Sequence, residues 1–247
     1  MTVAPLEDVV AEARRILDAA AEVPLRVLGG AAVALAAGGE TLLTRFYNDI
    51  DFVTAGGRGP EVVRAFAHLG YAGDQRFNGI NGHRRLLFYD VGNERRVDVF
   101  VGRFEMCHVI PLAGRLTLNA HTVPLADLLL TKLQIFALNE KDQRDIVNLL
   151  HARPLAERDD EGAINAAYVA QLLAGDWRLW RTATQTIERV RGSLPRYELA
   201  PEQEEVVRAR LDDLRSRIDA APKSAKWKLR ARVGERVKWY DEPEEVG

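Results

Sequence analysis

Residues 28–53 read LGGAAVALAAGGETLLTRFYNDIDFV, and this stretch decides how the chain is built. It ends in Asp49-Ile50-Asp51-Phe52, two carboxylates one residue apart in an apolar, β-favouring context. Side chains alternate faces along a strand, so Asp49 and Asp51 point one way while Ile50 and Phe52 point the other. Like charges held side by side repel, and a divalent cation is the usual reason a fold keeps them, since Mg²⁺ prefers carboxylate oxygens and shares its other positions with phosphates and water. At the other end, Gly29-Gly30 follows the short apolar run Leu25 to Leu28 and opens the small-residue run AAVALAA, which Gly38-Gly39 stops. That order predicts strand, tight turn and closely packed helix, with free helix N–H groups placed to meet phosphate.

Outward from this stretch, Val9, Ala13, Ile16, Leu17 and Ala20 recur at helical spacing over residues 6–22, and Pro24 closes that helix. A further helix is expected over residues 60–69, with Gly70 as its C-cap. RRLLFYD and ERRVDVFV flank Val91-Gly92-Asn93 and predict a hairpin, and RLTLN (115–119) predicts another short strand. From Pro124 the pattern is helical: residues 124–136, 141–151, 162–175, 177–191, 201–219 and a last segment over 224–239. The expected fold class is therefore α+β, with an α/β core over residues 1–123 and a helical region over 124–247.

The chain has 247 residues, 47% hydrophobic and 28% charged, with a formal net charge of −2. Such a balance describes a globular protein and points to no polyanionic partner through global charge. Its one cysteine, Cys107, rules out an intrachain disulfide framework and any cysteine-based zinc motif. The N-terminus lacks the pattern of a signal peptide, and no apolar run approaches the ~20 residues that cross a bilayer. These features lead to the expectation of a cytoplasmic protein without a membrane partner. The five histidines are scattered and read as structural or exposed.

A third acid stands in Arg95-Arg96-Val97-Asp98-Val99-Phe100, where Val97 and Val99 would face the core and Asp98 would share a face with Arg96 and Phe100. Acids are poor strand residues unless something uses them. The order Gly-Gly, Asp-x-Asp about twenty residues on, then a strand Asp about fifty further on, resembles the nucleotidyltransferase superfamily of the DNA polymerase β type. The resemblance is closest to the small bacterial branch with AbiEii-like and MenT-like toxins. Gly29, Gly30, Arg45, Asp49 and Asp51 match its first motif in order. In DLLLTKLQIFALNEKDQRDIVNLL (127–150), Lys132, Lys141, Asp142 and Asp145 match its helical motif, so that roughly residues 25–150 are covered. Gly30 departs from the serine common in polymerase-β-like enzymes.

The resemblance implies a mixed sheet flanked by helices, with a helical region behind it, and transfer of NMP from an NTP (ATP among them) to an acceptor hydroxyl. It implies catalytic and metal-ligating roles for Asp49, Asp51 and Asp98 around two Mg²⁺ or Mn²⁺ ions, and nucleotide-binding roles for Gly29, Gly30, Arg45 and Lys132. Asp142 and Asp145 could orient Lys132 or Arg45, contact substrate, or simply pair with Lys141 and Arg144. The implied acceptor is RNA, such as a tRNA 3′ end, in a toxin–antitoxin system with a cognate antitoxin. The alternatives are a protein or small-molecule acceptor, or a nucleotide-binding protein without catalysis.

Residues 223–240 carry Lys223, Lys226, Lys228, Arg230, Arg232, Arg236 and Lys238 against Glu235, with Trp227 and Trp239 among them. Cations interleaved with aromatics suit a phosphate backbone and an unstacked base. The same pattern also suits an amphipathic helix that packs its tryptophans inward.

Overall fold

A computed structural model describes residues 6–47, 49–112, 114–160 and 162–242. It is mixed α/β and divides into two compact units: residues 1–105 with 110–124, and residues 106–109 with 125–247.

The first unit is built on a five-stranded sheet. Helix α1 (Leu6–Ala19) buries Val9, Ala13, Ile16 and Leu17, the stripe its spacing predicted. Strand β1 (Leu25–Leu28) runs into α2 (Gly29–Ala36), whose small side chains are nearly all buried. Then follow β2 (Asp49–Thr54), α3 (Gly59–His68), β3 (Ala72–Gly73), α4 (Gln75–Asn81), β4 (Arg85–Asp90) and β5 (Arg95–Val101). The strand order is β1-β2-β5-β4-β3. Strands β2 and β5 are parallel while the other pairs are antiparallel, so the sheet is mixed.

One face of the sheet carries Ile50, Phe52, Val97, Val99 and Phe88, all essentially buried. Helix α3 closes it. Phe66 stacks on Phe88 with centroids 4.4 Å apart and meets Phe52 and Tyr71 edge-on at 6.1 and 5.3 Å. Fully burying an aromatic ring contributes on the order of 2 kcal/mol, and the ring pairs add to this. Tyr71 also donates from its hydroxyl to Glu12 of α1. With this face filled by hydrocarbon, the opposite face is left for the acids of β2 and β5.

Two local expectations change. Residues 115–119 form turns, not a strand: the Arg115 N–H bonds the Leu112 carbonyl and the Leu118 N–H bonds that of Arg115. The free edge of β1 is taken instead by residues 121–123, with Val27 N–H donating to His121 and Val123 N–H donating to Val27. Helix α4 had no apolar period in sequence and buries no residue. Asp74, which accepts from the Phe77 N–H, starts it, and Asn78 bonds the Leu87 backbone on both sides.

The second unit is helical: α5 (Leu125–Leu133), α6 (Glu140–Ala152), α7 (Ala166–Gly175), α8 (Trp177–Ser193), α9 (Pro201–Ala220) and α10 (Ala225–Val233). Helix α5 is buried all round and forms its centre. Asn139, Asn165, Asp176 and Ser224 cap α6, α7, α8 and α10 with side-chain oxygens. Helix α9 packs Val207, Leu211, Leu214 and Ile218 inward. Its Arg210 donates to the carbonyls of Leu150, His151 and Arg153, satisfying the otherwise open end of α6. No helix among the described residues is long and apolar enough to cross a membrane.

Candidate active site

The polar face of the first unit follows from strand register. In the parallel β2–β5 pair, Asp51 lies opposite Asp98 and Asp49 opposite Arg96. Because side chains directly opposite on paired strands share a face, Asp49, Asp51, Asp98 and Arg96 form one cluster. Sequence spacing could say that Asp49 and Asp51 share a face. Only the pairing of β2 with β5 brings Asp98 beside them.

The glycine pair has a direct structural role. Gly29 has a positive φ of 67°, and a Cβ there would lie 2.1 Å from Asp51 Oδ2. A Cβ on Gly30 would lie 2.4 Å from Arg45 Nη2. Both side chains therefore rest on bare backbone at the start of α2, and any larger residue displaces one of them. Arg45 also stacks over Tyr47, 4.5 Å from the ring centroid. The Asp51 carboxylate sits at the positive end of a helix, where the aligned peptide dipoles favour a negative charge.

Asp98 is the floor of the cluster, with its side chain only 1% exposed. Its Oδ1 accepts from Arg85 Nε at 2.8 Å and lies 2.7 Å from Arg85 Nη2. Its Oδ2 lies 3.1 Å from Arg96 Nε, a charge contact without hydrogen-bond geometry. Arg96 Nη2 in turn lies 3.9 Å from Asp49 Oδ2. Arg85 reaches Asp98 from β4 with its guanidinium over the Phe100 ring at 5.1 Å. A buried carboxylate is tolerated when it is paired, and two guanidiniums supply that pairing here.

An all-carboxylate donor set matches Mg²⁺ or Mn²⁺ in chemistry, and Asp49 and Asp51, both part-exposed, fit such an ion. Among the described residues no three of His, Cys, Asp and Glu converge as a metal site. Asp98 is paired with Arg85 and Arg96 in this structure. Arg85 escaped the sequence reading because its reach to Asp98 depends on the β4–β5 register, which places it beside Phe100, diagonal to the acid.

Lys132, Asp142 and Asp145 belong to the second unit and form a buried group there. Lys132 Nζ lies 3.0 Å from Asp142 Oδ1 and 2.8 Å from Asp145 Oδ2. Both acids contact Lys132, and Arg144 pairs with Glu140. The tryptophans of the C-terminal segment turn inward. Trp239 is buried, donating from Nε1 to Thr182 Oγ1, and Trp227 meets Trp180 edge-on at 5.0 Å. Lys226, Lys228, Arg232, Arg236 and Lys238 stay exposed.

His108 lies buried in this unit, with Nε2 2.8 Å from Thr182 Oγ1. The Thr182 hydroxyl is directed at the Arg178 carbonyl, so its oxygen receives the His108 and Trp239 N–H groups. Burial, with Arg178 nearby, pushes the imidazole down to about 4 despite the opposing pull of Asp176 and Asp241. Burial also raises the Cys107 thiol, so neither group is poised as a catalyst at neutral pH.

No family model matches the chain, and no curated protein matches it. Among solved structures, that of the antibiotic-resistance factor ANT(2'')-Ia is similar over 85% of this chain and 93% of its own, at 17% identity and a TM-score of 0.38. A likeness that loose carries no argument about chemistry.

Proposed function

We propose that the chain is a metal-dependent nucleotidyltransferase working from the polar face that holds Asp49, Asp51 and Asp98. The observation that carries this reading is the register of β2 and β5, which sets Asp51 beside Asp98 and on the face of Asp49, with the Asp51 carboxylate against Gly29. The resemblance of residues 28–53, Asp98 and residues 127–150 to polymerase-β-type enzymes points the same way.

In the reaction, an acceptor hydroxyl oxygen attacks the α-phosphorus of an NTP. The bond from that phosphorus to the bridging oxygen breaks, pyrophosphate leaves with the electron pair, and the hydroxyl proton passes to solvent or a nearby carboxylate. The barrier is largely charge and positioning. A divalent cation on Asp49 and Asp51 would supply Lewis-acid stabilisation of the phosphate oxygens. Asp51 is positioned by the Gly29 backbone, and Arg45 by Gly30. Arg96 brings a fixed positive charge to the same face.

For the acceptor, the exposed cations Lys226, Lys228, Arg232 and Arg236 support RNA through phosphate contacts. The stacking part of that reading is weakened, because Trp239 is buried and the half-buried Trp227 lies edge-on to Trp180. A tRNA 3′ end, a cognate antitoxin and a cytoplasmic setting are further parts of the proposal that rest on the toxin-like resemblance.

The test is to incubate the protein with each α-labelled NTP, Mg²⁺ or Mn²⁺, and total RNA or cell lysate. Label is expected in one acceptor class, and Asp51→Asn is expected to reduce it at least about 10³-fold, the scale of losing a principal charge-stabilising group. Labelling undiminished in Asp51→Asn, or none with any NTP and either metal, would refute the reading.

A further inference from the structure

We infer that Asp98 is a positioning residue that anchors Arg85 and Arg96, and that Arg96 occupies the place of a second divalent cation. This rests on the nucleotidyltransferase reading and specifies how that site is charged.

Both oxygens of Asp98 face arginine side chains. Oδ1 is taken by both Arg85 nitrogens at 2.7 and 2.8 Å, and Oδ2 faces Arg96 Nε at 3.1 Å. Mg²⁺ demands near-octahedral oxygens at roughly 2.0–2.1 Å, and the Arg96 guanidinium, 3.1 Å from Oδ2, puts a fixed positive charge where an ion would approach that oxygen. Arg96 also spans to Asp49, so it lies between the two carboxylates that a second ion would bridge. Its exposure, 25% of the side chain, is intermediate between Asp98 at 1% and Asp49 at 33%. The cluster thus has a buried anion as its floor, a guanidinium above it and a carboxylate at the rim.

Charge counting agrees. Asp49, Asp51 and Asp98 contribute three negative charges, and Arg85 and Arg96 return two positive ones, leaving a net −1. One divalent ion brings the cluster to +1, a field suited to a triphosphate. Arg85 is held over Phe100, so its charge is part of the site's permanent framework. Arg96 carries its charge without dissociating, and its planar fork suits phosphate oxygens.

The test counts Mn²⁺ bound by the full chain, from the loss of the free-ion electron paramagnetic resonance signal. The wild type is expected to bind one Mn²⁺ per chain. Arg96→Gln frees Asp98 Oδ2 beside Asp49 and should bind two. Adding Asp98→Asn to that variant should return the count to one, because the new site needs Asp98. Arg96→Met fills similar volume and serves if the glutamine variant fails to fold. Two ions in the wild type, or a count that stays at one in a folded Arg96 variant, would overturn the inference while leaving nucleotidyl transfer intact. If no form binds Mn²⁺, the metal-dependent reading itself fails, which separates the two failures.

Discussion

The buried imidazole of His108 makes the helical unit sensitive to acid, and the size of the effect can be worked out. In the folded chain the ring is held down to about 4, against an ordinary value of 6.5. Between these values the unfolded chain binds a proton that the folded chain refuses, so stability rises with pH across the window. The contribution is fully present above about pH 6.5 and is lost as pH falls towards 4. At ~1.36 kcal/mol per pH unit, the full window is worth on the order of 3 kcal/mol, of which roughly 2 kcal/mol is lost between pH 7 and pH 5. Thr182 joins His108 to Trp239. The reporter is built in: all four tryptophans, at 177, 180, 227 and 239, lie in this unit. Urea unfolding followed by tryptophan fluorescence should show a midpoint lower by about 1 M at pH 5 than at pH 7, given typical denaturant slopes. His108→Gln keeps a neutral polar side chain with no proton to gain, and it should lose most of that difference. A midpoint equal at both pH values in the wild type, or equally shifted in the variant, would show that His108 is not the source of acid sensitivity.

Three other outcomes follow from the same packing. Gly29→Ala puts a methyl 2.1 Å from Asp51 Oδ2 at a positive φ; it should cost ~1–2 kcal/mol of backbone strain and, by moving the carboxylate, lower NMP transfer about 100-fold with the far-UV circular dichroism unchanged. Lys132→Met leaves Asp142 and Asp145 buried without their cation and should destabilise the helical unit by ~3–5 kcal/mol in fluorescence-detected urea melts, with partial recovery on adding Asp145→Asn. Phe66→Ala removes the ring shared by Phe52, Tyr71 and Phe88; it should cost ~3–5 kcal/mol by circular dichroism, and it should leave the tryptophan-detected transition nearly unmoved, since the first unit contains none.

Much of this protein was legible in the chain because local rules govern it. Period-two alternation put Asp49 and Asp51 on one face and Ile50 and Phe52 on the other. Helical spacing marked α1 and α9, and the two valines around Asp98 marked the core-facing side of β5, whose other side proves buried as well. The strand expected at residues 115–119 and the unforeseen α4 differ for one reason: short polar segments are decided by their partners. Residues 121–123 reach the edge of β1 first, and Asn78 ties α4 to Leu87.

Tertiary structure decided everything that depends on register between distant segments. The pairing of Asp51 with Asp98 joins residues 47 positions apart, and no local period encodes it. Nor does composition reveal that Arg85 and Arg96 would take up the third acid, or that Asp142 and Asp145 would meet Lys132. Alternation assigns a side chain to a face, which is a property of one strand. The neighbour a charge meets on that face is a property of the assembled sheet or helix pair, because it depends on which backbones hydrogen-bond or pack and at what offset.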